Sequence, residues 1–113
     1  MNYPVLTAHV RSRELDIAWA AGLIEGEGCF TIHSKRHPYL LVDMTDKDVI
    51  ERLHGVFPFG NIRGPYTHKN KPQNKPRWRF DAYGPKARNI IIQIAPYLGI
   101  RRRARIQELM ELK

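Results

Sequence analysis

The sequence predicts a single α+β domain whose elements run helix, hairpin, helix, hairpin, helix, helix. Three observations carry this. Hydrophobic spacing alternates between a helical period and a period of two. Each period-two block holds two runs separated by turn signals. And 113 residues are enough for one modest core but too few for two ordinary domains. The whole chain, 1–113, is therefore one unit, with an N-terminal arm over 1–11 and a basic loop over 67–76.

The first helix opens at Ser12, a residue type that caps helices, with Glu14 and Asp16 in the first turn where the positive end of the helix dipole favours acids. Leu15, Ile17, Ala18, Trp19, Ala21, Leu23 and Ile24 then cover much of its circumference, so this helix should be buried on more than one side. After Gly28 the period changes to two. Phe30 and Ile32 fall on one face and Thr31, His33 and Lys35 on the other. A turn at Arg36 to Pro38 leads to a second strand, with Leu40, Val42 and Met44 inward and Tyr39, Leu41 and Asp43 outward.

Thr45 or Asp46 starts a second helix carrying Val49, Ile50, Leu53 and Phe57 at helical spacing. GNIRGPY is a weak strand because Gly64 and Pro65 interrupt it. Residues 67–76, THKNKPQNKP, contain no apolar side chain and form the basic loop. PRWRFDAY alternates strictly, Trp78, Phe80 and Ala82 against Arg77, Arg79, Asp81 and Tyr83. Gly84 and Pro85 open the third helix, with Ile90, Ile91, Ile94 and Leu98 as its stripe. Pro96 and Gly99 end it, and a last helix carries Ile106, Leu109 and Met110 on one side.

Composition narrows the function. Nineteen Lys and Arg against eleven Asp and Glu give a formal charge of +8 and a pI near 10.0. A surplus of that size on so small a surface favours a polyanionic partner, nucleic acid above all; a solubility feature or a ribosomal-type surface is the alternative. No apolar run approaches a membrane span, and the N-terminal stretch lacks the apolar region of a secretory signal. With one cysteine and no zinc-type spacing of Cys and His, a soluble protein in a reducing intracellular setting is expected, without structural metal. Cys29 should be a small, at least half-buried hydrophobe, and Trp19 and Trp78 core residues.

The outward strand positions Thr31, His33, Lys35, Tyr39, Asp43, Asn61, Arg63, Arg77, Arg79, Asp81 and Tyr83 mix hydrogen-bonding groups of both signs. Base-edge readout needs such a mixture, since arginine pairs with guanine and an aspartate suits the cytosine amino group. An ordinary solvated face is the competing reading. Lys69, Lys71 and Lys75, with His68 beside them, would contact phosphates from the loop.

One stretch resists a purely structural explanation: AWAAGLIEGEGCF, residues 18–30, places glycines and glutamates at the end of a helix. Each interior glycine costs about 1 kcal/mol relative to alanine, and carboxylates there face the negative end of the dipole. Gly22 and Gly26, with Ala18 one turn earlier, let another backbone approach closely. That backbone belongs either to this chain's own sheet or to the same helix of a second copy. Glu27, beside carbonyls that lack helical partners, is either a solvated turn residue or a ligand for a divalent cation.

Ala20 to Gly28, AAGLIEGEG, closely resembles the LAGLIDADG motif that names a family of homing endonucleases. Seven of its nine positions match or change conservatively, and Trp19 and Phe30 fit the flanks. The element order is similar to the family's αββαββα fold, a four-stranded antiparallel, saddle-shaped sheet with helices on one face. The closing stretch QIAPYLGIRRRARIQELMELK looks like the family's C-terminal region.

The resemblance implies a site-specific homing endonuclease that cuts both strands of a long, near-palindromic DNA site as a homodimer, because only one motif is present. It implies that Glu27, with the Gly26 backbone, binds Mg2+; Mn2+ could substitute, and Ca2+ would support binding only. Glu25 would be structural. Ala18, Trp19, Gly22, Leu23 and Gly26 would form the dimer interface. Asp46 matches a polar position near the attacking water, and Arg101 a position where a lysine commonly approaches the scissile phosphate; arginine retains the charge but not the titratable amine. The alternatives are a member that binds DNA or RNA without cutting, such as an intron-splicing maturase, and a basic ribosome- or RNA-associated protein.

Overall fold

The computed structural model describes residues 12–33, 37–71 and 73–111. The expected N-terminal arm, Lys35 and the residues on either side of it lie outside this set, as does the side chain of His33. Helix α1 spans Arg13–Glu27, followed by strands β1 (Gly28–His33) and β2 (His37–Met44), helix α2 (Lys47–Val56), strands β3 (Asn61–Tyr66) and β4 (Arg77–Tyr83), and helix α3 (Pro85–Ile94). A 3-10 turn over Ala95–Tyr97 then leads to helix α4 (Ile100–Met110). The architecture is the α+β arrangement expected from the spacing.

The four strands form one antiparallel sheet in the order β1-β2-β4-β3, so the two hairpins lie side by side with β2 and β4 central. Leu40, Val42, Phe80 and Ala82 are fully buried on one face, against Ile24, Ile50, Leu53, Ile90 and Ile94 from the helices. Leu98, Ile106 and Leu109 close the core from the C-terminal side. Burial of this apolar surface is the main stabilising term, at about 25 cal/mol per Å².

Local signals account for most boundaries. Ser12 Oγ accepts from the Leu15 amide at 3.2 Å, capping α1. Gly84, with φ of 61°, occupies left-handed backbone that admits glycine readily, and Pro85 follows at the first position of α3. Asp46 sits at the N-cap of α2, but no hydrogen bond runs from its side chain to the helix.

Three expectations need correcting. The strand β2 begins at His37, paired with His33, so His37 and Pro38 are strand rather than turn. The stretch Asn61–Tyr66 forms a full strand: β3 is at the sheet edge, where proline is tolerated, and a register shift between Arg63 and Tyr66 absorbs the Gly64-Pro65 interruption. Cys29 is exposed, because the period that buries Phe30 turns its neighbour to the opposite face.

Candidate nucleic-acid interface and the acidic end of the first helix

The helix-free face of the sheet collects the polar strand positions. Asp43 of β2 and Arg79 of β4 are direct cross-strand partners, as are Arg79 and Arg63 of β3. Arg79 donates to both Asp43 carboxylate oxygens, through Nε at 2.9 Å and Nη2 at 2.8 Å, and its guanidinium lies 5.4 Å from the Tyr66 ring centroid. Arg77 Nη2 donates to the Asp43 carbonyl at 3.0 Å. The hydrogen bonds from Arg79 hold the Asp43 carboxyl below the usual aspartate range, and the same pairing raises Arg79.

Asp81 departs from the expected outward acceptor. It is 2% exposed. Its Oδ2 accepts from Tyr39 Oη at 2.8 Å and Arg63 Nε at 2.7 Å, and its Oδ1 from Asn61 Nδ2 at 3.2 Å. Burial, reinforced by the bond to Asp81, pushes the Tyr39 phenol up. This cluster lines a concavity of about 860 Å³ together with Arg79, Tyr83 and Lys86. Thr31 stands half-buried on β1, and His68, Lys69, Lys71 and Lys75 are exposed along the loop. Turn hydrogen bonds from Lys71 to His68 and from Asn74 to Lys71 shape that loop.

At the end of α1 the two glutamates separate. Glu25 Oε1 accepts from the Gly99 amide at 3.1 Å, its carbonyl accepts from Arg102 Nη2 at 3.1 Å, and Arg102 Nε lies 3.9 Å from its Oε2. A Cβ at Gly99 would sit 2.7 Å from Glu25 Oε1, so a larger residue there would displace the carboxylate from this bond. Glu27 is exposed, and its carboxylate has no hydrogen bond or ion pair among the described residues. A Cβ added at Gly22 or Gly26 would meet nothing within 4 Å. The chain's own sheet therefore does not explain those glycines. Leu15, 65% exposed, lies seven and eleven residues before them and so on the same side of the helix.

Solved structures share this arrangement of elements. The homing endonuclease I-CvuI, in complex with its target in the presence of calcium, superposes with a TM-score of 0.62 at 17% identity, over 88% of this chain and 69% of that one. An archaeal intron-encoded homing endonuclease, I-Vdi141I, complexed with DNA, gives a TM-score of 0.63 at 16% identity, over 86% and 67% of the two chains. The chain has the LAGLIDADG homing endonuclease fold. I-CvuI with the I-CreI target in the presence of magnesium, where the DNA was not cleaved, gives a TM-score of 0.59 at 18% identity, covering 88% and 70%. By sequence, no protein family and no curated protein matches the chain.

Within this LAGLIDADG fold the motif stretch Ala20 to Gly28 occupies the last two turns of α1 and the first residue of β1. Ala18, Trp19 and Leu23 are half-buried, and the Arg52 guanidinium lies 3.9 Å from the Trp19 ring centroid. Gly28 pairs with Val42, so Glu27 and Asp46 lie at the same end of the β1–β2 ladder. Arg101 is exposed in the first turn of α4, next to the Arg102 that grips Glu25. Among the described residues, no three His, Cys, Asp or Glu side chains converge as a metal site, and no helix is long and apolar enough to cross a membrane. Sequence reasoning does not foresee the bond between Arg102 and Glu25. A run of three arginines just after the glycine that ends a helix is its signal.

Proposed function

We propose that this protein is a site-specific DNA endonuclease that acts as a homodimer and cuts both strands of a long, near-palindromic duplex in a divalent-metal-dependent reaction. The observation that carries this reading is the end of α1. A bare glycine face, unoccupied by the chain's own side chains, runs directly into an exposed Glu27 whose carboxylate lacks a protein partner among the described residues. Two such helices crossing at Gly22 and Gly26, flanked by Ala18, Trp19 and Leu23, form an isologous contact. That contact brings two Glu27 carboxylates to one axis.

The donor set fits a hard cation: carboxylate and backbone carbonyl oxygens at the negative end of a helix suit Mg2+ or Mn2+. One chain supplies too few ligands alone, and two chains sharing the site supply the pair. Glu27 and the Gly26 backbone would hold the cation. When bound, it neutralises charge at the scissile phosphate and eases ionisation of water there. Asp46 orients the attacking water from the N-cap of α2, and Arg101 offers positive charge to the phosphate as negative charge builds in the transition state. Arg101 therefore serves charge stabilisation and not the proton transfer that a lysine amine at this position could take part in.

The outer sheet face lies in the major groove, with the loop lysines on phosphates. Ca2+ supports binding without cutting. Glu27→Gln tests the assignment. Magnesium-dependent nicking and double-strand cleavage should be lost, while affinity in calcium stays within a few-fold of the parent. Cleavage that survives the substitution would remove Glu27 from the catalytic site. Binding of duplex DNA by the parent with no cutting under magnesium or manganese would instead mark a non-cutting binder of the maturase type.

A further inference from the structure

We propose that Asp81 is a positioning residue that makes Arg63 a guanine-reading group, and that Asp81 itself reads no base. The proposal rests on the DNA-binding reading of the outer sheet and deepens it.

Asp81 cannot meet a cytosine amino group as it stands. Three donors from two neighbouring strands, Tyr39 of β2 and Asn61 and Arg63 of β3, occupy its two oxygens, and the residue is 2% exposed. An ionised carboxylate offers about four acceptor positions, so this one is nearly saturated before any ligand arrives.

Arg63 has the complementary property. Its side chain is 53% exposed, yet its Nε is fixed on Asp81 at 2.7 Å. That bond leaves the two terminal nitrogens, which have no other partner among the described residues, at the outer end of a rigid plane. An end-on pair of N–H donors matches O6 and N7 of guanine. Anchoring Nε does two further things. It removes rotamers that binding would otherwise have to freeze, and it keeps the guanidinium over the sheet instead of letting it sweep to the nearest phosphate.

The register shows why an anchor is needed. Arg63 and Arg79 are direct cross-strand partners, and like charges so placed repel. Asp43 on β2 neutralises Arg79, and Asp81, two residues along β4 from Arg79, neutralises Arg63. Without Asp81, Arg63 would swing outward and act as a general phosphate contact. Arg79, with Nε and Nη2 both committed to Asp43, is less able to present a second fork.

The test is selection of sites from a random duplex pool in calcium, followed by competition between single-base variants of the selected site. It uses the full chain as parent, Asp81→Asn, Arg63→Lys and the double variant. The parent should prefer guanine by about tenfold at one base pair per half-site through this arginine. Asp81→Asn and Arg63→Lys should each reduce that preference to about twofold or less at the same base pair, leaving preferences elsewhere in place, and the double variant should lose no more. Arg63→Lys alters an exposed side chain and keeps its charge, so it reads out whether or not Asp81→Asn folds. If Asp81→Asn fails to fold, Asp81→Glu, which pushes the guanidinium outward, should lower the same preference.

Full discrimination retained by the Asp81 variants, or a uniform loss at every base pair, overturns the positioning role while leaving DNA recognition standing. A parent that selects no sequence overturns both.

Discussion

Asp43 and Arg79 show what period-two spacing can and cannot deliver. The outward direction of both side chains follows from the alternation of their strands. Their pairing does not, because β2 and β4 belong to different hairpins and the register between hairpins is set by how each packs on the helices. For the same reason Asp81 reads as an open acceptor in the sequence, whereas in the folded chain Tyr39, Asn61 and Arg63 cover it. The Asp43–Arg79 pair has a defined pH signature. The folded-state pKa of Asp43 lies below its unfolded value, so its contribution is complete above the ordinary aspartate pKa of about 3.9 and is lost as pH falls through the folded value. Asp43→Asn should melt at a lower temperature than the parent at pH 7, and the two melting curves should converge below about pH 4. A gap that stays constant from pH 7 to pH 3 would mean that the pair contributes nothing to stability.

Helix α1 is the element whose sequence most clearly demands another purpose. Its glycines and acids oppose helix formation, and both lie where the chain itself makes no use of them, apart from Glu25, which fastens α1 to the start of α4. Spacing alone leaves the partner of the glycine face open between the chain's own sheet and a second helix. The open space beside both glycines removes the first. It also makes a clean experiment possible. Gly26→Leu adds a side chain into open space, so it should leave the single chain folded, with helix content unchanged or slightly raised. Two helices could no longer cross closely there. Sedimentation at micromolar concentration should show the parent as a dimer and the variant as a monomer; a variant that still sediments as a dimer refutes the crossing. Strand β3 is undervalued by its sequence for a different reason, since the rule against proline in sheets has least force at an edge.

In the molecule as a whole, the 19 Lys and Arg are spread over the helices, the chain ends and two regions that the proposed reading sets on DNA, a structured sheet and a loop that contains no apolar residue. These two regions should differ in what they contribute. Arg63 and Arg79 of the sheet are held by carboxylates, which suits discrimination between sequences, whereas Lys69, Lys71 and Lys75 stand exposed. Replacing all three lysines with alanine should weaken binding to all duplexes alike and flatten the plot of log K against log salt. The slope should fall by about one for each phosphate that a lysine no longer neutralises. A selective loss on one sequence would place the loop in base readout instead.

The buried core is closed within one chain: Ala20, Ala21 and Ile24 of α1 already pack against the remaining helices and the sheet, and the glycine face is not needed to complete it. In the proposed homodimer, folding and pairing are then separate events, one intramolecular and one dependent on encounter. A cell making few copies would hold mostly lone, folded and harmless chains. The cutting pair of the proposed function would rise with the square of the free chain concentration, so that a modest change in expression would set a steep dosage threshold for DNA cleavage.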